Sequence, residues 1–122
     1  MAERRRAQGE RTEAFAEAFL RRAGYAILAR NARTRWGELD IVAQDGGEVV
    51  FVEVKSRQVG ARTPAVASVT APKVARLIRL AEAYLEGWSG GEPPWRIDVI
   101  TVLVGPDGAP RSLEHMRHAV RP

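Results

Sequence analysis

The segment from residue 38 to residue 55 constrains the fold of this chain more than any other. Asp45-Gly46-Gly47 is a strong signal for a tight turn, and it separates two runs, residues 38–44 and 48–55, that are rich in Val, Ile and Phe. A turn of this kind joins neighbouring antiparallel strands. We therefore predict a β-hairpin with a two-residue loop in the middle of the chain.

Four charged side chains are expected to share one face of this hairpin. Side chains alternate along a strand, so Glu38 and Asp40 point to one side of the first strand, and Glu53 and Lys55 to one side of the second. With a two-residue loop, Asp40 faces Glu53 and Glu38 faces Lys55. A slip of two residues would keep all four side chains on that face, because opposed residues in an antiparallel pair point the same way.

Clustered carboxylates of this kind favour a bound cation. Opposed Cβ atoms lie about 5 Å apart, and two like charges at that distance repel by about 3 kcal/mol at an effective dielectric constant of ~20. A divalent ion such as Mg²⁺ or Mn²⁺, which prefers oxygen ligands, would relieve this repulsion. The alternative is an ordinary solvated face on which Lys55 is simply the cross-strand partner of Glu38.

The remaining patterns predict helices and further strands around the hairpin. Apolar residues at helical spacing predict one helix over residues 12–23 and a second helix that starts near Thr70 and has its last stripe residue at Leu85. Strands are expected at residues 25–29 and 97–104, with a polar loop at 31–35 and a short edge strand or helix in the tail, 112–120. The order αβββαβ predicts an α/β fold with one mixed sheet flanked by helices.

Length and composition bound the class of protein. The 122 residues are expected to form a single domain, 1–122, with a basic N-terminal arm at 1–11 and a mobile loop at about 56–69. The chain has no cysteine, which excludes thiolate zinc sites, iron–sulfur clusters and cysteine nucleophiles. No apolar run approaches the ~20 residues of a membrane span, and residues 1–11 lack the apolar stretch of a secretory signal. We therefore expect a cytoplasmic protein with no membrane partner.

Charge is unevenly distributed along the chain. Residues 1–35 contain nine Arg and four Glu, whereas residues 36–122 contain ten basic and eleven acidic residues. A basic end of this kind suggests a polyanionic partner, most often nucleic acid, although a solvated Arg-rich surface is the simpler alternative. The chain has seventeen arginines and only two lysines, Lys55 and Lys73. Where only positive charge is needed this chain would usually have Arg, so each Lys suggests a role that requires its compact ammonium group.

The charged hairpin resembles a known nuclease pattern. Asp40, followed across the turn by Glu53-Val54-Lys55, is similar to the D…ExK core of the PD-(D/E)XK nuclease superfamily. The whole chain resembles the YraN-like family of small bacterial proteins, a branch similar in fold to archaeal Holliday-junction resolvases. This resemblance covers about residues 9–104 and implies a restriction-endonuclease-like sheet. Leu39 stands where the superfamily has proline, which is a departure from the pattern.

The resemblance implies a role for each acidic residue and for Lys55. Asp40 and Glu53 would hold Mg²⁺ or Mn²⁺ together with the backbone carbonyl of Val54. Lys55 would orient or deprotonate the attacking water and stabilise charge on phosphorus. Glu13 would be an accessory acid reaching in from the first helix, and Glu38 an outer acid at the mouth of the site.

Several cations near this face are candidate phosphate contacts. On the second helix, Lys73 and Arg76 lie near the positive N-terminal end while acids lie near the other, an order that opposes the helix dipole and suits a docked phosphate. Trp36 could stack on an exposed base or could simply cover the sheet edge. The nucleic-acid-binding set is completed by the arginines that flank the acidic residues in sequence, Arg33, Arg35, Arg57 and Arg62.

The sequence is compatible with two main functions. The first is a Mg²⁺-dependent endonuclease for branched or structured DNA, as a homodimer because a junction has two strands to cut and a domain this small has one site. The second is a nucleic-acid-binding accessory module of DNA repair or recombination that keeps the nuclease fold without cutting. A small RNA-associated protein is a weaker third reading, since no aromatic RNA-binding motif is present. Asp98 is expected to pair with a structural Arg, and His115 and His118 to be surface residues.

Overall fold

A mixed five-stranded sheet forms the centre of the protein in the computed structural model, which describes residues 2–60 and 70–120. The elements follow the predicted order with one strand added at the end, which confirms the α/β fold with a mixed sheet flanked by helices. Their bounds in chain order are α1 Ala2–Arg22, β1 Ala26–Thr34, β2 Gly37–Asp45, β3 Glu48–Gln58, α2 Ala71–Leu85, β4 Trp95–Val104 and β5 Pro110–Val120.

The strands lie in the sheet in chain order, β1-β2-β3-β4-β5. Neighbours are antiparallel except β3 and β4, which are parallel and are connected through α2. A parallel pair needs such a crossover, and its strands are usually covered on both faces. β4 is buried almost throughout, which agrees with the mostly apolar residues 97–104.

The two helices pack on opposite faces of the sheet. Leu77, Leu80 and Leu85 of α2 join one core cluster that also contains Phe51 and Ile97. Ala16 and Leu20 of α1 join the other, which contains Ile41, Val50 and Val52. Residues of β2 and β3 alternate between these two clusters from Ile41 to Val52, but Leu39 joins the cluster of α2 although Ile41 joins that of α1, so the alternation breaks at Asp40.

The first helix is longer than predicted. It begins at Ala2, not near residue 12, so residues 2–11 of the expected N-terminal arm form the first half of α1. Residues 2–11 lack a periodic apolar stripe, but apart from Gly9 they are Ala, Arg, Gln and Glu, which are strong helix formers and favour the helix there. Gln8 also anchors this half, since its Nε2 donates to the Gly108 carbonyl at 3.0 Å.

Two predicted loops are partly strand. The polar stretch 31–35 belongs mostly to β1, which continues to Thr34; as an edge strand it exposes polar side chains and so lacks an apolar signature. β3 extends to Gln58, which removes residues 56–58 from the predicted mobile loop, and residues 61–69 of that loop lie outside the described residues. The predicted edge strand or helix of the tail is an edge strand, β5.

Neither α1 nor α2 is long and apolar enough to span a bilayer.

Candidate functional site

The acidic residues meet where β2 and β3 separate. The β2–β3 register runs from Asp45↔Glu48 to Ile41↔Val52, which is the register predicted from the two-residue loop. One residue further along, the Asp40 side chain takes the place of a backbone partner, and its Oδ2 accepts a hydrogen bond from the Val54 N–H at 2.8 Å. Asp40 therefore lies in a fork between the strands.

The Asp40 and Glu53 carboxyl groups are close together in this fork. Burial raises the pKa of Asp40 to about 7, helped by the negative charge of Glu53 and by a hydrogen bond between the two carboxyl groups. The Val54 N–H acts in the opposite direction because it stabilises the ionised form. Without a cation, one proton is retained by this pair up to neutral pH.

Lys55 lies next to the carboxyl pair along β3 but forms no ion pair with either carboxyl group. It follows Glu53 by two residues on β3, opposite the buried Thr101 of β4, and it is half-buried. Within residues 2–60 and 70–120 it makes no ion pair or hydrogen bond through its ammonium group. The expected alternative, a Lys55–Glu38 pair, is absent from this part of the chain, and Glu38 faces Arg33 at 3.8 Å instead.

Arg76 of α2 is the cation that contacts the site. Its Nη2 donates to Oε2 of Glu53 at 3.1 Å; the Glu53 side chain is 13% exposed and that of Arg76 48%. The sequence predicts Arg76 as a phosphate contact and gives no signal for this pair, because the two residues are distant in sequence and are brought together by the crossover of α2. Arg76 thus balances one charge of the carboxyl pair.

The accessory acids lie around the fork. Glu13 accepts hydrogen bonds from Asn31 at 3.0 Å and Arg30 at 3.4 Å, and burial raises its pKa. Glu38 lines both the open groove next to Glu13 and the small crevice that contains Asp40 and Glu53. The acids are therefore arranged as a path from the α1 edge into the fork.

The fork offers two carboxylates, from Asp40 and Glu53, as ligands for Mg²⁺ or Mn²⁺. In the described ranges no group of three or more Asp, Glu or His residues is close enough to hold a metal ion, so Glu13 and Glu38 do not complete a ligand set with the central pair. Two adjacent carboxylates that retain a proton are nevertheless suited to a hard cation, which would take further oxygen ligands from a backbone carbonyl and water. The residues fit a two-carboxylate site.

The other predicted phosphate contacts are spread over the surface. Arg33 is 89% exposed, Arg35 pairs with Glu86 at 3.0 Å, and Arg57 lies 4.0 Å from Glu114. Lys73 stands in the first turn of α2, which holds no acidic residue, just as the last turn holds no basic one. Thr70, near which the helix was predicted to start, is its N-cap residue, although its side chain makes no capping hydrogen bond. Arg62 lies outside the described residues.

A second polar cluster is buried near the start of β4. Asp98 is fully buried and pairs with Arg96 at 3.0 Å, which confirms the expected structural Arg partner. The expectation for His115 is wrong: its side chain is 9% exposed and its Nε2 lies 2.8 Å from Asp98. Burial opposes ionisation of Asp98, but hydrogen bonds from His115, Arg96 and the His118 N–H hold its pKa below the usual value. His118 itself is exposed, as predicted.

Known proteins match most of the chain. The sequence profile described as uncharacterised protein family UPF0102 matches residues 12–102, which include the fork, α2 and most of β4. A UPF0102 protein of Symbiobacterium thermophilum is 54% identical over 102 residues, covering 82% of this chain and 85% of that protein. A UPF0102 protein of Roseiflexus castenholzii is 44% identical over 123 residues, covering 98% of each. One from Streptomyces coelicolor is 46% identical over 116 residues, covering 93% of this chain and 88% of its own length.

Proposed function

The chain belongs to the uncharacterised protein family UPF0102, and we propose that it is a divalent-cation-dependent endonuclease that hydrolyses phosphodiester bonds of branched or structured DNA. Family membership agrees with the YraN-like resemblance in the sequence, and the place within the PD-(D/E)XK nuclease superfamily is part of the proposal. The observation that carries it is the carboxyl pair Asp40–Glu53 in the fork, with Lys55 beside it and unpaired within the described part of the chain.

Asp40, Glu53 and the Val54 carbonyl would hold the ion. When bound, Mg²⁺ supplies Lewis-acid polarisation of a phosphate oxygen and lowers the pKa of a bound water. The protein's own contribution is to hold two carboxylates at one point, which the Val54 N–H supports by fixing Asp40 at 2.8 Å. Ionisation of the pair, opposed by burial in the free protein, is favoured when a cation is present.

Lys55 would act on the attacking water. Its ammonium group has no carboxylate partner within residues 2–60 and 70–120, so it is available to orient the water, to take part in moving its proton, and to stabilise the charge that develops on phosphorus. A guanidinium could supply the charge but is broader than an ammonium group and a poor proton acceptor, which suits the presence of Lys at this position in a chain with seventeen arginines and two lysines.

A second candidate function is a non-catalytic nucleic-acid-binding module for repair or recombination. The contact between Arg76 and Glu53 at 3.1 Å favours it, because a guanidinium already balances the charge that a metal ion would balance. The lack of a third carboxylate or histidine ligand in the described ranges points the same way. The two candidates differ in whether any cation produces strand cleavage.

Cleavage assays test the proposal. Labelled four-way junctions, flaps and linear duplexes are incubated with Mg²⁺, Mn²⁺ or EDTA, using the wild-type protein and Glu53→Gln. We expect metal-dependent cutting of a structured substrate that Glu53→Gln loses. Glu92→Gln, the same change at an exposed loop position, should cut at the wild-type rate. Tight binding without cutting in every metal would establish the non-catalytic module instead.

Arg76→Gln should increase the affinity of the protein for Mn²⁺. The guanidinium competes with the cation for Glu53, and a partly exposed ion pair of this kind contributes about 0.2–1 kcal/mol, which corresponds to about 1.4- to 5-fold in the dissociation constant. Isothermal titration with Mn²⁺ in the absence of DNA measures the change. Arg79→Gln removes the same charge one turn later on α2, away from Glu53, and should leave the affinity nearly unchanged; an equal increase in both variants would contradict the competition.

A further inference from the structure

The β1–β2 turn presents an aromatic side chain next to α2. Trp36 is 50% exposed, although tryptophan is among the residues with most apolar surface to bury. The Arg79 guanidinium carbon lies 5.0 Å from the centre of the Trp36 ring, and that of Arg35 lies 5.8 Å from it. The indole is thus flanked by cations while half of the residue stays open to solvent.

The turn that carries Trp36 is firmly held. Thr34 pairs with Gly37 across a two-residue loop, and the Thr34 hydroxyl donates to the Gly37 carbonyl at 2.9 Å and accepts from the Trp36 N–H at 3.1 Å. Gly37 has φ +134°, a conformation that side chains disfavour, and Leu80 of α2 lies 3.4 Å from where its Cβ would be. Because the backbone of this turn is already ordered, little of its conformational entropy is lost when a flat ligand stacks on Trp36.

The surface of α2 connects this turn to the fork. Arg79, which contacts Trp36, follows Arg76, which contacts Glu53, by three residues, so the two side chains are neighbours on the helix surface. Lys73 precedes Arg76 by the same spacing. These three cations form a row that leads from Trp36 past the carboxyl pair, and a polyanionic strand is the partner that such a row attracts.

We propose that Trp36, with Arg79 and Arg35, is a stacking platform for an unpaired nucleobase of the DNA strand that enters the fork. This inference rests on the proposed function and names its substrate class: DNA with an unpaired nucleotide near the bond to be cut, as in a flap, a gap or an opened branch point. A base within a duplex is already stacked on both faces and cannot use the platform. A single-stranded base can, and stacking on an aromatic side chain tolerates any sequence.

Binding in EDTA tests the platform without cleavage. Three fluorescent oligonucleotides of equal length are compared by anisotropy: a single strand, the same strand with abasic sites throughout, and its blunt duplex. Stacking of one base contributes about 1–3 kcal/mol, so Trp36→Ala should weaken binding of the single strand by about 5- to 150-fold. The variant should bind the abasic strand and the duplex as the wild type does. Trp36→Phe keeps an aromatic face and should restore most of the affinity.

A charge-matched pair of variants separates stacking from simple attraction. Arg79→Gln removes the cation beside the ring, whereas Arg21→Gln removes an exposed arginine from α1 on the opposite face of the sheet. We expect the first change to weaken single-strand binding more than the second. Equal losses, or a wild-type protein that binds the abasic strand as tightly as the normal one, would overturn the platform.

The platform and the nuclease can fail separately. Trp36-dependent binding of single strands with no cutting in any metal would support the platform and overturn the endonuclease. Metal-dependent cutting by a protein whose single-strand affinity is unaffected by Trp36→Ala would overturn the platform and leave the endonuclease standing.

Discussion

Asp40→Asn should stabilise the cation-free protein at pH 8 by up to about 4 kcal/mol while abolishing its binding of Mg²⁺ or Mn²⁺. Burial, with the nearby Glu53 charge, raises the folded-state pKa of Asp40 from 3.8 to about 7. Asparagine removes the charge that is unfavourable in the fork. Its side-chain carbonyl can still accept the Val54 N–H, so the fork itself should persist.

The pH dependence of the stability follows from the number of protons that Asp40 binds in the folded and unfolded states. Between about pH 4 and pH 7 the folded wild-type protein binds more protons at Asp40 than the unfolded chain does, so its stability falls as the pH rises across that range. The stability that protonation of Asp40 contributes is fully present below about pH 4 and is lost above about pH 7, the pKa of Asp40 in the folded protein. Urea unfolding in EDTA at pH 5 and pH 8 should therefore show the advantage of Asp40→Asn growing by about 3 kcal/mol.

Asp107→Asn is the matched control for this prediction. Asp107 lies in an exposed turn, where the hydrogen bond from the Ala109 N–H lowers the pKa of its carboxyl group. Its replacement should give no stabilisation at pH 8. An Asp40→Asn advantage that is the same at both pH values would mean that Asp40 is already ionised in the folded protein at pH 5.

Lys55→Ala should reduce metal-dependent cleavage by about 10²- to 10⁴-fold, the usual contribution of a positioned acid–base group. The protein should remain folded, because Lys55 makes no ion pair or hydrogen bond in the described part of the chain that its removal would break. Lys55→Arg keeps the positive charge but replaces the compact ammonium group with a broad planar guanidinium, so it should recover DNA binding without recovering the rate. Single-turnover cleavage measures the rate, and anisotropy in EDTA measures binding.

Lys73→Ala is the control that separates an effect of Lys55 on the cleavage rate from an effect of positive charge on DNA binding. It removes the only other lysine of the chain, at the start of α2. We expect it to weaken DNA binding by a few-fold and to leave the rate on bound DNA near the wild-type value. If Lys55→Ala behaves in the same way as Lys73→Ala, Lys55 is a phosphate contact and not part of the reaction.

The hairpin that holds the site could be predicted because its signals are local. The Asp45-Gly46-Gly47 turn and the alternating strands fix the pairing of β2 with β3, and the observed register from Asp45↔Glu48 to Ile41↔Val52 agrees. The fork beyond it was not predicted. An alternating pattern implies continuous pairing, and nothing in the sequence marks where the Asp40 side chain replaces a backbone partner of Val54.

Features that depend on long-range packing were missed. The contact of Arg76 with Glu53 and that of His115 with Asp98 each join different elements, and an isolated Arg or His in a sequence looks the same whether its partner is a carboxylate or water. The second half of the edge strand β1 and the first half of α1 were missed for another reason. Both are polar, and the prediction relied on apolar periodicity, which reports burial and not backbone conformation.

The hydrogen bond from Val54 to Asp40 gives the protein an internal spectroscopic reporter. The Val54 amide donates to a carboxylate oxygen at 2.8 Å, so its ¹H and ¹⁵N resonances should shift when that carboxyl gains or loses a proton. A two-dimensional NMR titration would follow the occupancy of the fork by protons or by a diamagnetic ion such as Mg²⁺ through one backbone signal, without a substrate and without any change to the chain.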